Sequence, residues 1–292
     1  MPWGTVVLFL LPAILLYVVF VLYPIVQSAR YSLYQWNGFG PLDQFIGLDN
    51  FRDVFGDARF RSALTHNVIL VVLSLLIQLP AALALAMLLN AKIKGRAVMR
   101  TVFFAPYVLS EVVTGVVWRQ ILRPDGLLDQ SMDGAGLGGW TQGWLSDPDV
   151  VLYALFFIVS WKYFGFHMIL MLAGLQQIPA ELKEAASIDG ASSWTTFRFV
   201  TFPLLMPTVR VSVFLSVIGA LQLFDMVWVT TRGGPIGASS TMSTYLYDRF
   251  RDSRFGFASA VSIVIFGLSL VIALLYQRFA LRRDLEGAGF GG

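Results

Sequence analysis

The feature that most limits how this chain can fold is a series of apolar runs, each long enough to cross a lipid bilayer. A membrane-spanning helix needs about 20 mostly apolar residues. Helices are expected because lipid leaves no water for backbone groups, and because the runs are continuous, unlike the alternating segments of a barrel. The predicted fold class is an all-α integral membrane bundle with six transmembrane helices, in one domain covering residues 1–292. The predicted spans are about 5–26, 68–89, 101–117, 151–173, 207–229 and 258–276.

Composition supports a membrane protein and argues against several functional classes. Charged residues make up only 13% of the 292 residues, against about 25% in a typical soluble domain. The net charge of +3, without a basic face interleaved with aromatic residues, argues against nucleic-acid binding. Cysteine is absent, and His66 and His167 are far apart in the sequence, so neither a disulfide framework nor a metal centre is expected.

The first apolar run is interpreted as a retained span and not as a signal peptide. It is longer than a usual signal core, and no small-x-small cleavage site precedes Tyr31. A basic leader is also missing, which suggests a shortened N-terminus.

The loops between the apolar runs differ in charge, and this difference predicts the orientation. The 90–100 loop is basic and contains no acid, whereas 118–150 is rich in aspartate. Cytoplasmic loops are enriched in lysine and arginine. Both termini and the 90–100 and 174–202 loops are therefore expected in the cytoplasm, with 28–66, 118–150 and 231–257 outside. The basic residues behind this prediction are Lys92, Lys94, Arg96, Arg100, Arg278, Arg282 and Arg283. Three arginines in the outside loops, Arg249, Arg251 and Arg254, weaken it.

Residues 178–203 have more helix-forming features than a simple connection needs. Pro179 suits the first turn of a helix, and 180–188 is rich in good helix formers. Gly190 is a suitable helix stop, and the serines that follow can cap a second short helix. The pattern predicts a helix–glycine–helix elbow between the fourth and fifth spans. Spacing alone leaves two interpretations open: a segment that docks in a partner's groove, or an amphipathic helix resting on the membrane surface.

The same segment resembles the EAA loop of binding-protein-dependent ABC importer permeases. That loop usually reads E-A-A, three residues, G, nine residues and I-x-L-P. Here Glu184-Ala185-Ala186 is followed at the same spacing by Gly190 and then Val200-x-Phe202-Pro203, with conservative departures at Val200 and Phe202. Other short matches resemble the first permease subunit of carbohydrate importers of the maltose and glycerol-phosphate type. They are Leu10-Leu-Pro12 with Leu22-Tyr-Pro24, Phe45-Ile-Gly-Leu-Asp-Asn-Phe51, Phe103-Phe-Ala-Pro106 with Val117-Trp-Arg119, and Arg232-Gly-Gly-Pro235.

The resemblance implies a transport subunit that works by alternating access. Two dissimilar permease subunits would enclose the path, and each would insert its elbow into a cleft of an ATPase subunit dimer. A loaded extracytoplasmic solute-binding protein would deliver a carbohydrate substrate to this multi-pass protein in the lipid of the bacterial plasma membrane. ATP and Mg would bind to the ATPase, because the chain contains no G-x-x-x-x-G-K-[ST]. For the chain itself, no cofactor and no catalytic residue are expected.

The resemblance also assigns roles to the coupling residues of the elbow. Glu184 would pair with a basic residue of the ATPase cleft, and Ala185 and Ala186 would permit close approach. Gly190 would supply a turn that a side chain would obstruct, and Asp189 belongs to the same segment. The alternative for Glu184 is an ordinary exposed surface carboxylate.

Two ionisable residues lie near the middle of predicted spans, where charge is costly. Lys162 lies in the fourth span and Glu111 in the third. They could form an ion pair inside the bundle, or Lys162 could line the path and donate to substrate oxygens. A third interpretation is a packed lysine whose charged end reaches the interface.

In the family that the chain resembles, the spans beside the elbow line the sugar site. Aromatic faces next to amide and hydroxyl groups suit a sugar. Ordinary helix packing explains small residues at the same positions equally well. The path candidates are Lys162, Tyr163, Phe166, Ser216, Gly219, Ala220 and Gln222. Near the outer end of the fifth span, Asp225 and Trp228 are gate or docking candidates, and Arg210 is expected to reach the cytoplasmic interface.

Three rival functions make different demands on the sequence. The same machinery importing glycerol phosphate or a polyol would need basic groups in the path, where only Lys162 is well placed. An ion-coupled secondary transporter would need broken helices and paired carboxylates at the midplane, where only Glu111 is found. A membrane-embedded enzyme would need convergent catalytic groups, which the sequence does not offer.

Overall fold

The computed structural model describes residues 3–91 and 93–281 and is almost entirely helical. Lys92, Arg282 and Arg283, used above to predict orientation, lie outside the described residues. In the described part, an isolated bridge between Tyr34 and Phe45 takes the place of any sheet. The helices are α1 Trp3–Tyr17, α2 Tyr23–Tyr31, α3 Asp49–Gly56, α4 Ala58–Leu73, α5 Leu79–Asn90, α6 Arg96–Val108, α7 Glu111–Ile121, α8 Leu127–Gly134, α9 Val151–Gln176, α10 Ala180–Ile188, α11 Ser193–Thr196, α12 Phe202–Leu221, α13 Asp225–Thr230, α14 Met242–Arg251 and α15 Phe255–Tyr276.

Several of these helices join through short π-helical turns into rods long enough to cross a membrane. Five continuous rods within the described residues meet the length and hydropathy of a membrane span. The pair α6 and α7, bent by 99°, makes a sixth if it is counted as one span. The all-α membrane bundle expected from the sequence is thereby confirmed. The continuous rods are Phe9–Tyr31, Ala58–Asn90, Val151–Gln176, Ser193–Leu221 and Phe255–Ala280.

The break in the third span lies later than the sequence suggests. A proline inside a predicted span is where an interruption is expected, but Pro106 lies within α6, and the chain bends at Leu109 and Ser110. Ser110 begins the new helix because its hydroxyl accepts a hydrogen bond from the backbone N–H of Val113 at 3.2 Å.

The fifth predicted span, 207–229, is wrong at its far end. Helix α12 stops at Leu221, and three non-helical residues precede α13. Two buried side chains donate hydrogen bonds to backbone carbonyls where the helix stops. Asn67 donates to Ala220 O at 2.6 Å, and Thr241 donates to Leu223 O at 2.8 Å. Hydropathy continues through the break, so it gave no indication of this end.

Helix α9 lies in the centre of the bundle and packs on α5, α6 and α12. Its contact with α6 depends on Gly165, where a β-carbon would collide with the Phe103 carbonyl oxygen. One apolar cluster joins α5, α9 and α12 around Leu89 and Met171, beside the elbow. We call this the elbow end of the bundle. In contrast, Phe9–Tyr31 lies at the edge of the bundle, where most of its side chains are exposed.

We call the opposite end of the bundle the loop end. There, two side chains of α14 make polar contacts with Asp57. Tyr245 Oη donates to Asp57 Oδ2 at 2.6 Å, and an Arg249 nitrogen donates to the same oxygen at 3.1 Å. Burial by itself raises the pKa of the Asp57 carboxyl. The hydrogen bonds from Tyr245 and the Arg59 backbone, together with the Arg249 charge, outweigh burial and hold that pKa below its ordinary value. This contact fixes the start of α4 against α14.

Candidate functional site

A cavity of about 360 Å³ lies where the two helix breaks come together beside α9. The break between α6 and α7 contributes one wall, and the break between α12 and α13 contributes another. Helices α4 and α9 and the turn between α4 and α5 complete the lining. The lining residues are Leu70, Ser74, Gln78, Tyr107, Glu111, Phe156, Val159, Tyr163, Phe166, His167, Leu215, Ser216, Gly219, Ala220, Gln222, Leu223, Phe224 and Asp225.

The first break is stabilised by Lys162, which is only 3% exposed. Its ammonium donates to the carbonyl oxygen of Tyr107 at 3.4 Å and to that of Leu109. A helix C-terminus leaves carbonyls unpaired and carries partial negative charge, so a buried ammonium is a suitable partner. Lys162 therefore acts as a cap for α6 and does not line the cavity.

Glu111 stands at the start of α7, where the partial positive charge of a helix N-terminus favours a carboxylate. The Tyr163 hydroxyl donates to its Oε1. No direct ion pair joins Lys162 to Glu111 within the described residues, so the pairing considered from the sequence is not formed. The adjacent residues Lys162 and Tyr163 instead hold the two sides of the break separately.

One wall of the cavity is aromatic. The rings of Tyr107 and Phe166 are stacked with centroids 4.9 Å apart and an interplanar angle of 20°. Tyr163 meets Tyr107 edge-on at 5.9 Å. A ring pair of this kind presents a flat apolar surface beside the polar groups of Glu111 and Tyr163.

The second break contributes side chains that are free to meet a ligand. Gln222 and Asp225 are exposed, and neither side chain makes a hydrogen bond among the described residues. Trp228, one turn further on, packs against Tyr247 at 4.6 Å and does not line the cavity. Of the two gate candidates, only Asp225 faces the cavity.

The structure brings six of the seven path candidates to this cavity, and only Lys162 lies behind its wall. Sequence reasoning missed other polar groups of the lining, above all His167 on α9, whose Nδ1 lies 3.3 Å from Ser212 Oγ. It also missed Ser74 and Gln78, which are four residues apart and share one helix face. Two polar side chains at that spacing in an apolar run could have indicated them.

The elbow has the predicted form. Helix α10 covers Ala180–Ile188, and Gly190 follows with a left-handed φ of +77°. The Ala191 N–H bonds back to Ala186 O at 2.9 Å, as in a Schellman motif. Ser192 then caps α11 by accepting from the Thr195 N–H at 3.2 Å.

The elbow leaves apolar side chains exposed at the elbow end of the bundle. Ile188 is 86% exposed, and Leu182 and Trp194 are exposed as well. Glu184, Ala185 and the residues around Gly190 share this free surface, while Ala186 is half-buried. Helix α10 packs on α11 and the Phe197–Thr201 turn.

A bundle of membrane-length helices around a cavity at two helix breaks defines a membrane transport permease. The chain belongs to the family of binding-protein-dependent transport system inner membrane components, whose family model matches residues 54–284. The permease family that the sequence resembles is thereby confirmed.

Individual relatives match over nearly the whole chain. The lactose transport system permease protein LacF of Rhizobium radiobacter is 38% identical over 281 residues, covering 94% of this chain and 93% of LacF. The diacetylchitobiose uptake system permease protein NgcF of Streptomyces coelicolor is 32% identical and covers 94% of this chain and 81% of NgcF. A bacterial ABC transporter involved in importing the acidic polysaccharide alginate has a solved chain with a TM-score of 0.83 and 26% identity. That match covers 96% of both chains.

Replacement of Lys162 tests its role at the first break. Lys162→Met keeps the length of the side chain but leaves the Tyr107 and Leu109 carbonyls without a donor. We expect the free energy of unfolding to fall by about 2 kcal/mol, the cost of unsatisfied buried acceptors. The measurement is the apparent melting temperature of the purified protein in detergent.

Glu111→Gln is the matched comparison for this variant, because it removes the other charge near the break. Its effect on the melting temperature should be small, since the half-buried Glu111 faces the cavity and water. In the double variant Glu111→Lys with Lys162→Glu, stability should not return. Recovery of the melting temperature in that double variant would contradict the capping role and favour a direct ion pair.

Proposed function

We propose that this chain forms half of the translocation path of an ATP-driven importer for a sugar or oligosaccharide. The observation that carries the proposal is the cavity between the two helix breaks. It combines a stacked aromatic pair with carboxylate, amide, hydroxyl and imidazole groups from several helices. Sugars are apolar on their faces and polar at their edges, and they need both kinds of contact.

Relatives with sugar-transport names support this substrate class. LacF is named for lactose and NgcF for diacetylchitobiose, and both align with more than nine-tenths of this chain. The rival substrate, a glycerol phosphate, would need basic side chains in the path. Lys162, which was the best-placed base in the sequence, donates instead to backbone carbonyls.

Coupling to ATP is assigned to the elbow. Its exposed apolar side chains and the free carboxylate of Glu184 suit a docking segment better than a loop surrounded by water. The partners in this proposal are a second permease subunit, a dimer of ATPase subunits that binds ATP and Mg, and an extracytoplasmic solute-binding protein. Ala185, Ala186 and Gly190 would let the elbow approach the ATPase closely, with Asp189 beside them.

The proposed orientation places the elbow end and both termini in the cytoplasm of a bacterial cell. The charges of the loops support it, since Lys94, Arg96 and Arg100 lie at the elbow end and the aspartate-rich 118–150 segment belongs to the other side. In this orientation the loop end would meet the solute-binding protein.

Two elbow variants test the coupling role. Glu184→Arg reverses the charge that would pair with the ATPase, and Gly190→Pro cannot adopt a φ of +77° because proline fixes φ near −65°. Both should insert normally in the membrane but lose ATP-dependent uptake by roughly tenfold or more, about 1.4 kcal/mol or more of coupling free energy. Uptake of radiolabelled sugar by cells, with membrane content measured by immunoblot, gives the result.

Glu181→Arg is the matched control, because Glu181 is also exposed on α10 and undergoes the same change of charge. Its uptake should stay close to that of the unaltered protein. Normal uptake by Glu184→Arg, or an equal loss in Glu181→Arg, would refute the specific role of Glu184.

Cysteine labelling tests the orientation, because the chain contains no native cysteine. Ile188 on the elbow is 86% exposed, and Ile236 in a loop at the other end is 99% exposed. In intact spheroplasts, a membrane-impermeant maleimide should label Ile236→Cys and leave Ile188→Cys unlabelled until the membrane is opened. The reverse pattern would show that the orientation is inverted.

A further inference from the structure

We propose that the half-path of this chain accepts uncharged sugars and excludes acidic ones, such as uronates and sugar phosphates. The proposal rests on the proposed function and names the substrate class of the same cavity. It is carried by the charges that line the cavity and by the position of the one nearby lysine.

The two ionisable acids of the cavity stand on opposite helix breaks. Glu111 begins α7, and Asp225 begins α13. Both lie close enough to Tyr163 to act electrostatically on its hydroxyl. No lysine or arginine is among the described residues that line the cavity. An acidic ligand would therefore meet two like charges and no cation to balance them.

Lys162 does not compensate for this acidity on the cavity side. Its ammonium is directed to the carbonyls of Tyr107 and Leu109, and its side chain is almost fully buried. To reach a ligand it would have to leave those acceptors unpaired at the helix break, which is costly in a membrane. His167 is the remaining basic group, and it is buried beside the Ser212 hydroxyl.

An uncharged sugar fits the same groups well. Carboxylates accept hydrogen bonds from sugar hydroxyls, and such charge-assisted bonds are stronger than neutral ones. Asp225 and Gln222 have no side-chain partner among the described residues, so they are free to receive them. The stacked rings of Tyr107 and Phe166 offer the apolar surface for a sugar face.

An acidic sugar meets a penalty that does not depend on shape. Like charges brought together in a binding site repel each other, and such repulsion is a common source of specificity. The alginate transporter, which is involved in importing an acidic polysaccharide, has the same fold at 26% identity. Because a fold does not determine what its site binds, the acidic lining of this chain predicts a different ligand charge.

The test measures sugar binding by the assembled importer without its solute-binding protein. Any preference between sugars then comes from the translocation path alone. The complex of this chain with its second permease and ATPase subunits is placed in nanodiscs. The probes are pairs of disaccharides with the same linkage: the glucose, galactose and mannose forms and their uronate counterparts. Saturation-transfer NMR titration gives the apparent affinity for each member of a pair.

In the unaltered complex, a neutral disaccharide should bind at least about tenfold more tightly than its uronate counterpart, which corresponds to about 1.4 kcal/mol. In the double variant Glu111→Gln with Asp225→Asn, the uronate should gain affinity and the preference should shrink to a few-fold. The double variant Asp43→Asn with Asp149→Asn is the matched control, because both exposed aspartates lie outside the cavity and this change also removes two negative charges. It should keep the preference of the unaltered complex.

Three results would overturn the proposal: uronates bound as tightly as neutral sugars, a preference unchanged in the double variant, or no binding of any neutral member. Uptake by the complete importer in proteoliposomes separates this failure from failure of the proposed function. If ATP drives sugar uptake but the charge preference is absent, only the present inference fails. If ATP drives no sugar uptake at all, the proposed function fails.

Discussion

Backbone groups inside a membrane have no water to bond with, and the break between α6 and α7 satisfies this constraint with one lysine. The chain bends by 99° there, and the carbonyls of Tyr107 and Leu109 lose their helical partners. The Lys162 ammonium replaces those partners from the middle of α9. Since the bend also places Tyr107 and Glu111 on the cavity wall, the geometry of the site depends on this contact.

At the break between α12 and α13, neutral side chains supply the hydrogen bonds to the backbone carbonyls. Asn67 and Thr241 donate to the carbonyls of Ala220 and Leu223, which supplies partners for two acceptors where α12 ends inside the bundle. Asn67 also accepts from the backbone N–H of Met242 at 2.9 Å, which ties α4, α12 and the start of α14 together. An ion-coupled transporter was expected to have broken helices and paired carboxylates. This chain has two helix breaks with one carboxylate at each, Glu111 and Asp225, yet its family places it among the binding-protein-dependent importers.

Prediction from the sequence was accurate where structure depends on local pattern. The apolar runs correctly predicted the bundle. The positions of proline, glycine and serine correctly predicted the elbow from Ala180 to Thr196. The breaks were misplaced because their position depends on partners distant in the chain. Lys162 is more than 50 residues from the carbonyls it caps, and Asn67 is 153 residues from Ala220. Neither contact is visible in the hydropathy of the sequence. The predicted fifth span was therefore too long, and the role of Lys162 stayed open.

One continuous rod joins the elbow to the cavity. Ser193–Leu221 runs for 29 residues, beginning at the elbow and ending with Ser216, Gly219 and Ala220 on the cavity wall. A helix of that length spans about 40 Å, at 1.5 Å per residue. Movement of the elbow would therefore reach the cavity through a single element, which gives the proposed coupling a physical route.

An electron cryo-microscopy structure of the assembled importer, trapped with its sugar bound, tests most directly whether this cavity is the path. The sugar should lie between the two helix breaks, with one face on Tyr107 and Phe166 and hydroxyls directed to Glu111 and Asp225. Density for the sugar at a place lined by none of these residues would contradict the assignment of the path to this cavity.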